Sequence, residues 1–325
     1  MKKLLTLIVL MVITIGVKSQ TLTATLQQGD VITPFYGENA FIEAYDAAED
    51  GAVITLSVGY FKFKYGNNIE KSLSIIGSGA FGSDETITYV DILCVRANNV
   101  RIEGLYFKGK IEMADKDNVM SENTRVRHCY IKELGGNKHS NSIIDQCVIE
   151  GNYVAWGEYK NFCVKNCIIK YHSGGTGAGT FINNIIYKAN YGNYVKNDMF
   201  RNCVIGIEDD NHELQSPGQY YNNVFFRYDD NLEKRDYVMT ITYGNGCVHE
   251  NNMVTTYTNL FGSGELNLMA FPNTEAKGDD NTKVGPEGGS GFKLYPSIPR
   301  IVSKSIDRQT NAEGKINVNI QVAAE

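Results

Sequence analysis

Val164-Lys165-Asn166-Cys167-Ile168-Ile169 is one copy of a six-residue pattern that returns down most of the chain. Further copies are Val126-Arg127-His128-Cys129-Tyr130-Ile131, Ile144-Asp145-Gln146-Cys147-Val148-Ile149 and Ile182-Asn183-Asn184-Ile185-Ile186-Tyr187. Two more are Phe200-Arg201-Asn202-Cys203-Val204-Ile205 and Tyr221-Asn222-Asn223-Val224-Phe225-Phe226. Degraded copies stand at Ile102-Glu103-Gly104-Leu105-Tyr106-Phe107 and Glu250-Asn251-Asn252-Met253-Val254-Thr255. Counted at the Cys167 place, the marker falls at 105, 129, 147, 167, 185, 203, 224 and 253. A unit that repeats every 20 residues or so marks a solenoid. Each copy is rich in Val, Ile, Phe and Tyr and then breaks at Gly, Asn, Asp or Ser, which reads as short strands joined by corners. Units this short exclude helix-pair repeats of about 33 to 47 residues.

The place before the marker holds His128, Gln146, Asn166, Asn184, Asn202, Asn223 and Asn252. Asn tolerates the left-handed backbone of a tight corner, and its amide can bond the same residue one coil away. The opening Ala47-Ala48-Glu49-Asp50-Gly51-Ala52-Val53-Ile54-Thr55-Leu56 is followed by Lys71-Ser72-Leu73-Ser74-Ile75-Ile76-Gly77. On these features the chain resembles, over residues 40–290, the right-handed parallel β-helices of the pectin-lyase-like superfamily. The resemblance implies an all-β fold: a right-handed parallel β-helix solenoid of three parallel sheets. That superfamily includes lyases, hydrolases, adhesins and binding proteins, so the resemblance carries the fold and no single activity. The Gly-His-Gly and Arg-Ile-Lys segments expected of polygalacturonases are missing from this sequence.

Residues 1–19 read as a signal peptide, with Lys2 and Lys3 before an apolar run too short to span a bilayer. No later segment is long and apolar enough to be a transmembrane helix, so the expectation is an exported chain, periplasmic or extracellular. Losing Lys2, Lys3 and Lys18 takes the formal charge from −6 to −9. An acidic chain without a basic cluster argues against nucleic acid as a partner. Residues 39–50 read as an amphipathic helix capping the N-terminal end of the solenoid, with Asn39 as its N-cap and Gly51 as its stop. The β-helix with this cap is expected over 20–290. Within it, 272–291 has the composition of a long loop. Residues 291–325 read as a C-terminal β tail: an extended segment, then an alternating strand at 315–322.

Four of the seven cysteines, Cys129, Cys147, Cys167 and Cys203, share one column of the repeat. Such a column suits buried free thiols, which pack as small hydrophobes. The densest polar cluster is an acidic corner, Asp209 and Asp210 answered one coil on by Asp229 and Asp230, with Arg235 in the same loop. These five are the catalytic candidates, and Asp210 with Asp230 the candidate ligands for Ca²⁺, the one cofactor the corner suggests. Trp156, Tyr153, Tyr191, Tyr194 and Tyr228 are candidate platforms for sugar rings. The leading expectation is a protein that binds a polysaccharide or cell-surface glycan. The alternatives are a polysaccharide lyase or glycoside hydrolase acting on uronic-acid polymers, and a structural or adhesive surface protein.

Three neighbouring columns of the repeat are apolar, and side chains alternate between faces along a strand, so one apolar column must point outward. The reading assigns Tyr130, Val148, Ile168, Ile186, Val204 and Phe225 to that ridge. The ridge is then covered by the segment around 298–322 or used for self-association.

Overall fold

The protein was analysed as a computed structural model, which describes residues 22–63, 68–84, 86–114, 120–136, 138–155, 159–173, 179–190, 198–208, 211–214, 217–231, 234, 236–293, 300–306, 313–316 and 318–323. The expected signal peptide lies outside the described residues. Among these residues no helix is long and apolar enough to cross a membrane.

The chain winds as a parallel β-solenoid. Each coil runs through a strand of sheet A, turns a corner, runs through a strand of sheet B and returns through a loop. Sheet A has twelve strands, from Val31–Tyr36 at one edge to Val248–Glu250 at the other. Sheet B runs from Gly59–Phe61 to Met253–Thr255. Among the described residues the third sheet consists of Ser121–Glu122, His139–Ser140 and Tyr159–Lys160, and Asn211–Leu214 with Thr240–Tyr243 forms a further parallel pair.

The lumen is lined by inward residues of both sheets. Ile102, Val126, Ile144, Val164, Phe181, Phe200 and Tyr220 face inward from sheet A. Phe107, Ile131, Ile149, Ile169, Ile186, Ile205 and Phe225 face inward from sheet B. Each is 0 % exposed, so each buried Ile or Phe contributes about 1.5–3 kcal/mol of transfer free energy.

The corner between the sheets is built on left-handed residues. Gly104, His128, Gln146, Asn166, Asn183, Asn202, Asn222 and Asn251 all have φ between 50° and 68°. This corrects the expected register at three coils. Ile168 pairs with Ile185 and Val204 with Val224, so Cys167 lines up with Asn184 and Cys203 with Asn223. The true marker column is Cys129, Cys147, Cys167, Asn184, Cys203, Asn223 and Asn252. From Cys147 on, its members accept the backbone N–H of the previous coil. Cys129 N–H donates to Cys147 Sγ at 3.5 Å and Cys147 N–H to Cys167 Sγ at 3.4 Å. Cys167 N–H donates to Asn184 Oδ1 at 2.8 Å, and Cys203 N–H to Asn223 Oδ1 at 2.9 Å. The seven cysteines are free thiols, and burial pushes the Cys203 thiol up to about 12. At the corner His128 bridges Glu103 Oε1 (3.2 Å) and Gln146 Oε1 (2.6 Å), a structural place for a histidine.

The helix α1 is shorter than expected, Ala40–Ala47, and Asn39 makes no side-chain cap bond. It packs Phe41 and Tyr45 against Phe63 beside the first coil, where the antiparallel hairpin Thr23–Gln28/Val31–Tyr36 closes sheet A. The last coil ends at Thr255. A short helix α2, Tyr257–Phe261, begins a segment here called the strap, residues 256–293. Beyond it, Arg300–Ile306 and Val318–Ala323 pair with each other as a separate antiparallel hairpin.

Candidate functional site

The outward column of sheet B changes character along the solenoid. By register it runs Tyr60, Tyr89, Tyr106, Tyr130, Val148, Ile168, Ile185, Val204, Val224 and Met253. The ridge anticipated from the sequence is therefore real, with two members corrected. Ile186 and Phe225 point into the lumen, and Ile185 and Val224 take their places outside. Among the described residues the cover is the strap, which lies on the ridge; most side chains of the segment around 298–322 lie outside the described residues. Tyr257, Leu260 and Val284 of the strap form one buried cluster with Val148, Ile168, Ile185, Val204 and Val224.

The strap is fastened by the corner column. Asn166 Nδ2 donates to Pro286 O (3.0 Å) and Gly288 O (2.6 Å), and Asn202 Nδ2 donates to Asp279 Oδ1 (2.8 Å). Tyr187 Oη reaches Asn267 O at 3.2 Å and Ala270 O at 3.1 Å. Gly206 is required in this region, because a Cβ there would overlap the Tyr187 carbonyl and the Phe226 ring.

Toward the N terminus the same column changes character. Val and Ile give way to four tyrosines, each half-buried. Tyr106 and Tyr130 stack with centroids 4.5 Å apart and planes 5° from parallel, and Tyr89 lies 5.1 Å from Tyr106. The hydroxyls are held by carboxylates: Tyr60 donates to Asp91, Tyr89 to Asp84, and Tyr130 to Glu150 at 2.8 Å. These acceptors push the Tyr60 and Tyr89 phenols up to about 12. Desolvation, then the bond to Glu150, raises Tyr130 as well. Glu150, although partly desolvated, is held below its ordinary range by Lys132 and Tyr130. Lys108 lies over the rings of both Tyr60 and Tyr89 at 4.7 Å. The result is a preorganised aromatic strip, one ring per coil at a spacing of roughly 4.8 Å, edged by cations and carboxylates.

The residues singled out from the sequence fare differently. Asp209, Asp210, Arg235, Trp156, Tyr191 and Tyr194 lie outside the described residues. Asp229 accepts from Asn231 N–H (2.9 Å) and from Arg227 (3.1 Å), and these bonds, the first foremost, lower its carboxyl. Asp230 accepts from Tyr228 Oη at 3.1 Å. Among the described residues no group of three or more His, Cys, Asp or Glu is placed to hold a metal. Tyr228 is only 3 % exposed and belongs to the cluster beneath the strap, so its ring offers no open face. Tyr153 has its backbone paired with Leu134 and His172. Asp198 is a buried acid raised to about 7 by desolvation, and Gly179 N–H donates to it at 2.7 Å. At 0 % exposure it cannot meet a polymer.

The sequence reading missed Tyr60, Tyr89 and Tyr106. The signal for Tyr106 was present, since following the ridge column upstream from Tyr130 leads to it. Tyr60 and Tyr89 precede the recognisable copies and are aligned only by pairing. No protein-family model matches the chain, and no curated protein matches it.

Proposed function

We propose that this is an exported glycan-binding β-helix whose binding face is the tyrosine strip of Tyr60, Tyr89, Tyr106 and Tyr130. One observation carries the reading: a single structural column is aliphatic where the strap covers it and, among the described residues, tyrosine and half-buried where the strap gives out. Apolar side chains under a cover need only fill space. The rings turn their faces toward one another and toward Lys108, so with their hydroxyls tied down they form a continuous apolar ridge along which the C–H groups of a sugar chain can lie. The flanking Lys108, Lys132, Asp91 and Glu150 supply donors and acceptors for hydroxyl groups. The rings sit on strands of a rigid scaffold, so little side-chain freedom is lost on binding.

A glycan array on the mature chain tests the proposal, followed by titration of the best oligosaccharide against Tyr106→Ala and Tyr89→Ala. Each substitution is expected to weaken binding at least tenfold while leaving the far-ultraviolet circular dichroism unchanged. An array without a hit, or a hit indifferent to both substitutions, removes the reading. The same incubations, assayed for new ultraviolet absorbance and new reducing ends, show whether binding is accompanied by lyase or hydrolase turnover.

A further inference from the structure

The two ends of the solenoid are finished differently. At the first coil sheet A is closed by the Thr23–Gln28/Val31–Tyr36 hairpin, whose outer strand carries Pro34, a residue with no N–H to offer a neighbour. At the last coil no further strand among the described residues adds to either long sheet. Val248–Glu250 pairs only with Gln219–Tyr221, Met253–Thr255 only with Val224–Arg227, and the C-terminal hairpin joins neither long sheet. Val254, in register with the inward Phe225, is 38 % exposed, and Met253 beside it is 53 % exposed.

The corner ladder states what is missing there. At the preceding corner Asn222 N–H donates to Glu250 O at 2.9 Å, and Asn223 N–H donates to Asn252 Oδ1 at 2.9 Å. Asn223 O accepts from Met253 N–H at 2.8 Å. One coil earlier the pattern is the same: Asn202 N–H to Tyr221 O, Cys203 N–H to Asn223 Oδ1, Val224 N–H to Cys203 O. At the last corner the matching groups are the N–H of Asn251 and the N–H and C=O of Asn252. No partner faces them among the described residues. They open beside a groove of 890 Å³ lined by Arg201, Tyr221, Asn222, Lys277, Asp279 and Asn281.

We infer that this corner docks an extended strand from a partner protein, which adds to the last coil as one more turn would. The ladder specifies the strand's chemistry. It must offer a carbonyl, then a corner residue able to turn left-handed, then an Asn whose Oδ1 accepts from Asn252 N–H, then an N–H followed by an apolar side chain. That is the pattern x-(Asn or Gly)-Asn-apolar. A second copy of the chain fits less well. End to end it would set the same donors against each other, and its other end presents Pro34.

The probe is a fluorescein-labelled peptide copying residues 218–227, Gly-Gln-Tyr-Tyr-Asn-Asn-Val-Phe-Phe-Arg, titrated with the full chain and read by fluorescence anisotropy. Saturable binding is expected. Asn223→Leu made in the peptide should weaken it at least tenfold, as should Val254→Lys made in the protein, a site exposed enough to accept the change. Ile32→Lys, at the opposite edge, should leave it unchanged. Absence of saturable binding, equal affinity for the Leu peptide, or loss on Ile32→Lys overturns the inference. So does a chain that sediments as a dimer, is made monomeric by Val254→Lys and ignores the peptide, since the end is then a self-interface.

Discussion

Two stretches of the outward column of sheet B share strand geometry and pairing yet hold different residues. From Val148 to Val224 the column is Val and Ile, and the next column outward ends in Tyr187, Gly206 and Phe226. From Tyr60 to Tyr130 it is tyrosine, and the next column outward holds Lys62, Asp91, Lys108 and Lys132. The difference follows what lies against each stretch. Under the strap, Ile168, Ile185 and Val204 are 0 % exposed, so side chains there are chosen for volume and the absence of polar atoms. Beyond the strap's reach a side chain must be apolar on its face and polar at its tip, and Tyr with a carboxylate partner is both. Phe292, the last aromatic residue of the strap, sits at the border, 6.3 Å from Phe81, which in turn packs edge-on to Tyr130 at 6.0 Å.

The sharpest way to break this contrast is a matched pair of truncations. Ile168→Ala should cost about 2–5 kcal/mol in urea unfolding, since it leaves a cavity between sheet and strap. Tyr106→Ala should cost less, since its ring is only half-buried and its stacking adds about 0.5–1.5 kcal/mol beyond the area it covers. Equal losses would mean that the two stretches are not covered differently. Next in size is Gly206→Ala, where overpacking against Tyr187 and Phe226 should cost about 1–3 kcal/mol. It should also expose the strap to limited proteolysis between 262 and 276, and an unchanged digest would show that the strap does not depend on that contact.

A smaller effect is expected from Asn202→Gly, which keeps the left-handed corner and removes the bond to Asp279, worth about 1 kcal/mol. Hydrogen exchange should quicken at 278–285 while the lumen strands keep their protection. The smallest expected effect is a titration at the uncovered stretch. Tyr60 and Tyr89 ionise near 12 because Asp91 and Asp84 accept from the neutral phenols. Their folded pKa lies above the ordinary value of about 10, so their contribution to stability is complete below pH 10 and is lost as pH rises toward 12. Absorbance at the phenolate band should show Asp91→Asn moving one tyrosine back toward 10, and no movement would dissolve the assigned Tyr60–Asp91 bond.

Much of the fold was legible in the repeat, because strand and corner are local matters. Val, Ile and Phe at alternating places, broken by Asn, reveal short strands turning at left-handed residues. His128 and Gln146 were readable as corner residues for the same reason. The register was not readable where two asparagines stand together. Asn183-Asn184 and Asn222-Asn223 are each followed by three apolar residues, so either Asn can be taken as the corner. A slip of one residue exchanges the faces of the strand. That is why Ile186 and Phe225 were assigned outside and lie inside. The candidate site was less legible still. Its tyrosines come from four coils, two of them ahead of the recognisable copies, and only pairing sets them in one row.

What the sequence by itself determined is the coil: its length, its corner chemistry, and the fact that one apolar column had to be left outside the lumen. Those follow from steric preferences and from the two-residue period of a strand, and they need no knowledge of distant residues. What only the tertiary structure decided is what happens to that column. The strap that buries Ile168 begins about 90 residues further along the chain. Its grip on Asn166 spans 120 residues. No local pattern encodes which distant segment will lie on a ridge, because that choice is made by shape and hydrogen bonding between surfaces that exist only once the coils have stacked.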